Sequence, residues 1–296
     1  MERLLRSRRL FGAFLILLSA ACFGVMPLFG RVAAAAGADT QAILLIRFCV
    51  AGGSLALIML LRRERWPRGK LALGLLAMGA VGYAGQSFSY FSALRYASVS
   101  LTSLLLYTFP IMVTLIAAVW LGEPITRRKA VALLLACLSL VLTVGGAIQG
   151  SVLGVVFGLS AATIYSVYIA VGTKLTPQAG AMPSATVVML GGALTFVVVG
   201  AAHPPAWPHG AAGWSATIAI GLLCSVVAAL AFFAGLARVG ASEAAMLSTF
   251  EPVVSVGMAA WLLGERLTAS QSIGGAVIIA AVLLLARAPA SGTVPE

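Results

Sequence analysis

Charge is what this chain of 296 residues has least of: only 9% is Asp, Glu, Lys or Arg, and Asp39 is the single aspartate. Soluble domains carry roughly 25% charged residues, so the scarcity, with 61% hydrophobic residues and a mean hydropathy of +1.07, excludes a water-soluble fold. Catalytic groups are equally sparse. The two histidines, His203 and His209, both sit in the Pro-rich stretch HPPAWPHG, remote from any nucleophile, and no Asp, His or Cys cluster could hold a metal. A G-x-x-x-x-G-K-[ST] phosphate loop is absent, which argues against a nucleotide-driven pump. Rings of charge or a repeated filter loop, the marks of an ion channel, are missing too. Cys22, Cys49, Cys137 and Cys224 lie singly in apolar segments and read as small buried side chains. No catalytic residue, cofactor or metal is expected, and the chain is read as not an enzyme.

What is present is a succession of apolar segments. A bilayer core of about 30 Å takes about 20 residues of helix. Ten such segments are expected, near 10–30, 42–61, 71–93, 99–121, 129–148, 151–173, 183–202, 213–236, 242–264 and 271–287. The connections are too short for a soluble domain, so function must reside within the membrane. The net charge of +11 is lopsided along the chain. With a cytoplasmic N-terminus, 15 of the 19 basic residues fall on the inner side, leaving Arg31, Arg47, Arg95 and Arg266 outside. That asymmetry predicts both termini in the cytoplasm and lipid, with no nucleic acid, as the partner of the surplus charge. The first segment has a basic start and a loose processing site at Ala20 to Cys22, as a signal peptide does, but its removal would leave nine helices and spoil the charge balance.

Shifted so that Tyr90 falls on Phe232, the chain resembles itself. Tyr90–Thr126 lies over Phe232–Thr268 without a gap, matching Phe91 to Phe233, Pro110 to Pro252, and Leu121-Gly122-Glu123 to Leu263-Gly264-Glu265. Coincident Pro and Leu-Gly-Glu at one offset point to an internal repeat, 1–148 and 149–296. Five helices per copy is an odd number, so the second copy enters the membrane from the opposite side. The expected fold is therefore all-α: ten transmembrane helices as two inverted five-helix repeats around a central cavity.

Pro110 and Pro252 remove a backbone donor and free the carbonyls of Leu106 and Ser248. Bare carbonyls at mid-membrane need protein or a water-filled cavity, so these prolines are expected as hinges in helices four and nine lining the cavity; ordinary packing kinks are the plainer reading. Glu251 adjoins one of them, about 12 Å from the inner boundary. An ionised carboxylate facing lipid would cost at least about 2.5 kcal/mol, so Glu251 should point inward, as a proton-coupling group, a partner for an amine-bearing solute, or a protonated acid bonded to a neighbouring helix. Its repeat equivalent is Phe109. Arg47, about 7 to 8 Å inside the second segment, is expected to snorkel to the outer interface as a structural residue. Tyr83, Gln86, Ser87 and Tyr90 form a polar-aromatic stripe, echoed by Ser103 and Tyr107 and by Tyr165 and Tyr168. The candidate substrate-binding set is Tyr83, Gln86, Tyr90, Ser103, Tyr107, Tyr165 and Glu251, for solutes recognised by stacking and hydrogen bonds; tyrosines also form interfacial belts, the better account of Tyr96. Glu123 and Glu265, at helix ends, should accept hydrogen bonds from a turn or a helix N-terminus. Thr268 with Gln271 fits a capping box, and Thr126 a cap. Gly154 and Gly158 permit close packing but say little of a dimer; the oligomeric state stays open.

On ALRYASVSLTSLLLYTFPIMVTLIAAVWLGEPIT, its second copy ASEAAMLSTFEPVVSVGMAAWLLGERLT, and Arg47 in LLIRF, the chain resembles the drug/metabolite transporter superfamily, specifically its EamA-type ten-helix exporters, over nearly its whole length. It departs from them at Phe23 before Gly24, where the family often has Trp. The resemblance implies a basket of ten helices in the cytoplasmic (inner) membrane and export of small metabolites, including amino acids as in YddG-type exporters. It also places Tyr83, Gln86, Tyr107, Pro110, Glu251 and Pro252 at the cavity. The reading is a secondary transporter working by alternating access; the alternative is an intramembrane lipid-modifying enzyme or a lipid flippase.

Overall fold

The computed structural model describes residues 2–97, 99–144, 150–263 and 268–286, and within these the chain is helical almost throughout. In order, the helices are α1 (Glu2–Gly24), α2 (Met26–Ala35), α3 (Thr40–Leu61), α4 (Gly69–Ala77), a π-helical turn Met78–Tyr83, α5 (Ala84–Tyr96), α6 (Val99–Leu106), α7 (Phe109–Trp120), α8 (Arg127–Val144), α9 (Val152–Ala179) and α10 (Ala181–Ala202). They continue with α11 (Gly210–Gly221), a second π turn Leu222–Val227, α12 (Ala228–Val239), α13 (Ala241–Ser248), α14 (Glu251–Leu263) and α15 (Ala269–Ala286). Among the described residues, eight helical stretches are long and apolar enough to cross a membrane, and the segments expected over 129–148 and 271–287 form the shorter helices α8 and α15, packed against each other. Gly264, Glu265, Arg266 and Arg287 lie outside the described residues.

Local chemistry accounts for the boundaries. Asp39 caps α3 by accepting from the Ala42 N–H at 2.7 Å, and Ser151 caps α9 through Gly154 N–H at 3.3 Å. Thr268 and Gln271 make the reciprocal box that starts α15, at 2.9 and 3.2 Å, and Thr126 accepts from Lys129 N–H at 3.3 Å, as their spacing predicts. The proline-bearing segments break where expected. The helix stops at Tyr107–Thr108 before Pro110, and again at Thr249–Phe250 before Pro252. Threonine hydroxyls reinforce the turn at both breaks: Thr108 donates to Leu105 O at 2.7 Å, and Thr249 to Met246 O at 2.6 Å, each carbonyl also accepting the same residue's backbone N–H.

Glycines let these helices meet at backbone distance. A Cβ on Gly79, in the first π turn, would lie 1.9 Å from the Val188 carbonyl oxygen on α10. One on Gly221, its counterpart under the repeat alignment and just before the second π turn, would lie 2.7 Å from Val50 on α3. Gly12 against Arg238 and Val239 is paired in the same way with Gly154 against Tyr96 and Ala97, again at the offset of the repeat. Gly154 and Gly158 thus serve packing within the chain, the latter against Leu105. Gly79→Ala is expected to lower stability by about 1–3 kcal/mol, because the obstacle is a carbonyl that no rotamer change can clear. Thermal unfolding in detergent checks this, with Gly53→Ala, which meets nothing within 4 Å, as the neutral comparison.

Candidate functional site

Arg47 is buried inside the bundle. It lies two turns into α3, about 10 Å along the helix, and is only 4% exposed. It does not snorkel. Its Nε donates to Ser225 Oγ at 2.8 Å and its Nη2 donates to the Tyr83 hydroxyl, while the guanidinium stands 5.1 to 5.9 Å from the ring centres of Tyr83, Phe48 and Phe23. The expectation of an interfacial arginine fails because α3 begins at Thr40, earlier than its apolar pattern suggests, and turns this side chain toward the two π turns. Tyr83 closes the first π turn and Ser225 lies in the second, at positions that the self-alignment of the sequence pairs. A π turn shifts the helix register by one residue, which re-aims side chains and commonly marks a functional position.

From Arg47 an aromatic file runs across the bundle. Successive ring centres are separated by 5.4 Å for Phe196 and Phe48, 5.1 Å for Phe48 and Tyr83, 5.5 Å for Tyr83 and Tyr168, 5.8 Å for Tyr168 and Tyr165, 4.9 Å for Tyr165 and Phe109, and 6.0 Å for Phe109 and Tyr107. Beside it lies a narrow cavity walled by Phe23, Tyr83, Tyr165, Tyr168, Ala229 and Phe232. The space admits little more than a water molecule, so these rings must separate before a solute enters. Its wall comes from α1, the end of the first π turn, α9 and α12; the expected lining by helices four and nine is not what bounds it.

The remaining predicted residues gather nearby. Glu251 opens α14 at the Pro252 break and is partly accessible, with the buried Tyr107 hydroxyl within hydrogen-bonding reach and Arg47 at longer range. Tyr90 and Ser103 approach each other by their side chains, and Tyr90 neighbours Tyr107. Gln86 accepts only a long bond from Ser87, at 3.4 Å, and is not on the cavity wall. Pro110 is buried and Pro252 partly so. Sequence reasoning leaves Arg47, Ser225, Phe23 and Phe232 out of the set: Arg47 in LLIRF and Phe23 before Gly24 serve there as points of resemblance, and it is the tertiary packing that joins the four.

A second polar cluster closes the face of the bundle that carries the N-terminus. Glu123 Oε1 accepts from Ala241 N–H at 2.8 Å, and Oε2 accepts from Ser242 N–H at 3.4 Å and from the Lys129 ammonium at 3.0 Å. Arg9 grips Glu243 with both Nε, at 3.0 Å, and Nη2, at 2.5 Å. The expected acceptor role of Glu123 holds, but the helix it caps is α13, in the other half of the chain. From Ala241 to Thr249 every residue is buried, whereas from Phe250 to Met258 each is partly or fully accessible. Near this face α13 packs closely on α7; α14 makes no comparable contact with α6 among the described residues.

One family model describes this arrangement twice in the chain, matching residues 10–145 and again 152–287, and it is that of the EamA-like transporter family. The chain belongs to the EamA-like transporter family. Curated relatives agree in kind: an uncharacterized transporter of Archaeoglobus fulgidus is 27% identical over 285 residues, covering 94% of this chain and 97% of its own. The uncharacterized transporter YcbK of Bacillus subtilis is 27% identical over 278 residues, covering 89% and 88%. A crystal structure superposes with a TM-score of 0.79 over 92% of this chain and 95% of its own; at 21% identity it speaks for the fold alone. This EamA protein is thus a multi-pass membrane transporter of the drug/metabolite superfamily, and a small-molecule substrate follows from the family.

Proposed function

We propose that this EamA-family protein exports small amphipathic metabolites, amino acids foremost, across the cytoplasmic membrane by alternating access, in the manner of YddG-type exporters. Its ten helices form two inverted five-helix repeats, 1–148 and 149–296, with both termini in the cytoplasm. The observation that carries the reading is the paired interruption of α6/α7 and α13/α14 ahead of Pro110 and Pro252, with Glu251 and Tyr107 meeting between them. Half-helices that end at mid-membrane beside a partly accessible carboxylate are what a solute site requires. The recurrence of glycine contacts at the same offset as the paired prolines, with a π turn close to the matching place in each half, supports two copies of one unit, and related packings of such copies supply states of similar energy.

With the N-terminus inside, the Glu123 and Arg9 contacts close the cytoplasmic end, and the accessible half of helix nine, α14, belongs to an outward vestibule. Tyr83 and Tyr165 wall the narrow waist, Tyr90, Ser103, Tyr107 and Glu251 line its outer approach, Gln86 stands beside it, and Pro110 and Pro252 act as hinges. Reconstituted in liposomes, the protein should move labelled amino acids down a gradient at rates well above empty vesicles, with no added nucleotide. Absence of solute flux together with translocation or chemical change of lipid would transfer the assignment to a flippase or lipid enzyme.

A further inference from the structure

We infer that Arg47 is the anchor for a carboxylate on the transported solute. The inference rests on the central cavity being the solute path. A guanidinium has five N–H donors, and in Arg47 two are taken, one by Ser225 and one by Tyr83. The Nη1 pair and the second hydrogen of Nη2 meet no protein acceptor, and no carboxylate stands within 4 Å of the group, among the described residues. The side chain is nonetheless buried at mid-bundle, with its charge held by neutral hydroxyls and the faces of three rings. Hydroxyl dipoles and ring quadrupoles soften the loss of water but leave a whole positive charge uncancelled, and such a charge inside a bilayer is kept only where it has a task.

The position of the charge names that task. Two of the rings that flank the guanidinium, Phe23 and Tyr83, are also walls of the cavity. With Nε and one Nη2 hydrogen engaged, both Nη1 hydrogens and the other Nη2 hydrogen are left to donate to the two oxygens of a carboxylate. Ser225 and Tyr83 stand on two different π turns, so the aim of the fork is fixed by two separate elements. Glu251 lies beyond ion-pair distance, yet near enough for its charge to be felt at Arg47. A solute carrying carboxylate and ammonium together would lie between the two with its opposite ends complemented, its side chain against Tyr165, Tyr168 and Phe232.

The test compares ligands that differ only in the carboxylate: L-phenylalanine with 2-phenylethylamine, L-leucine with 3-methylbutylamine, and L-lysine with 1,5-diaminopentane, titrated calorimetrically into the full chain in detergent. In at least one pair the amino acid should bind about 10- to 100-fold more tightly than its amine. Arg47→Gln should bring that pair level by weakening the amino acid and leaving the amine unchanged, which also reports that the variant is folded. Arg47→Lys, a point charge without the fork, should keep a preference of the same sign but smaller size. Equal binding within every pair in the parent protein, or a preference that survives Arg47→Gln, overturns the assignment. Should liposome flux fail while the calorimetric preference stands, the export reading falls and the carboxylate site remains.

Discussion

Replacing Glu123 by alanine is expected to loosen the N-terminal face of the bundle and to lower stability by about 2–3 kcal/mol, the sum of a lost cap and part of an ion pair. Helix α13 starts after Gly240, whose φ of +82° makes the turn and which has no side chain to offer the first amides. Glu123 fulfils that role from across the molecule, accepting from Ala241 and Ser242, and it balances the Lys129 ammonium as well. A lost cap costs about 1–2 kcal/mol. Removing one member of a buried ion pair costs about 3–5 kcal/mol, but these side chains are 18% and 10% exposed and their share must be reduced accordingly. Gln at this position keeps an acceptor without the charge and should lose about half as much. Burial pushes the Glu123 carboxyl up, yet the Lys129 ammonium and the hydrogen bonds from Ser242 and Ala241 more than offset this and hold it below its ordinary 4.5. A folded value below the unfolded one contributes stability above about pH 4.5, and that contribution is lost as pH falls through the lowered value. The parent and Glu123→Gln should therefore differ at neutral pH and converge in acid. Thermal unfolding reads the energy; thiol labelling at Ser242→Cys, a fully buried position, reads the opening and should be rapid only in the Glu123→Ala background. Unchanged melting and labelling would show that this face is held without Glu123, by the Arg9–Glu243 pair and apolar packing.

Much of this molecule was legible in advance because the bilayer makes hydropathy a direct record of segments, and because caps and prolines act locally. The Thr268–Gln271 box and the breaks ahead of Pro110 and Pro252 follow from residue type and spacing. What escaped was rotation. Helix α3 is apolar on every side, so its pattern cannot say which way Arg47 points, and counting depth from Ala42 rather than Thr40 sent it to the interface. The cavity wall escaped for a related reason. Proline marks where a helix opens but not which neighbour the opening faces, and the π turns that bring Tyr83 and Ser225 to Arg47 have no sequence signature. Pro177 illustrates the same limit from the other side: α9 continues through it to Ala179, because near a helix end one missing bond is easily forgone.

Glu251→Gln should leave the fold intact and reduce amino-acid flux by about 10- to 100-fold. The amide is nearly the same shape and still accepts a hydrogen bond from Tyr107, so melting should change little. What disappears is an ionisable carboxyl at the start of α14, the end of that helix where its dipole favours an anion, and, among the described residues, a carboxyl close enough to Arg47 to feel its charge. A hydrogen bond to a charged group is worth about 1.5–3 kcal/mol, which sets the expected range. Phe109, which the offset aligns with Glu251, instead meets Tyr165 edge to face with ring centres 4.9 Å apart, so it supplies no second acid. Comparing flux with and without an imposed pH gradient separates two uses of the carboxylate. If Glu251 carries a proton through the cycle, the gradient accelerates the parent and not the variant; if it only holds an ammonium, both respond alike while the variant stays slow. Flux equal to the parent's under both conditions would remove Glu251 from the transport path and leave it as a bonding partner of Tyr107 in the wall of helix nine.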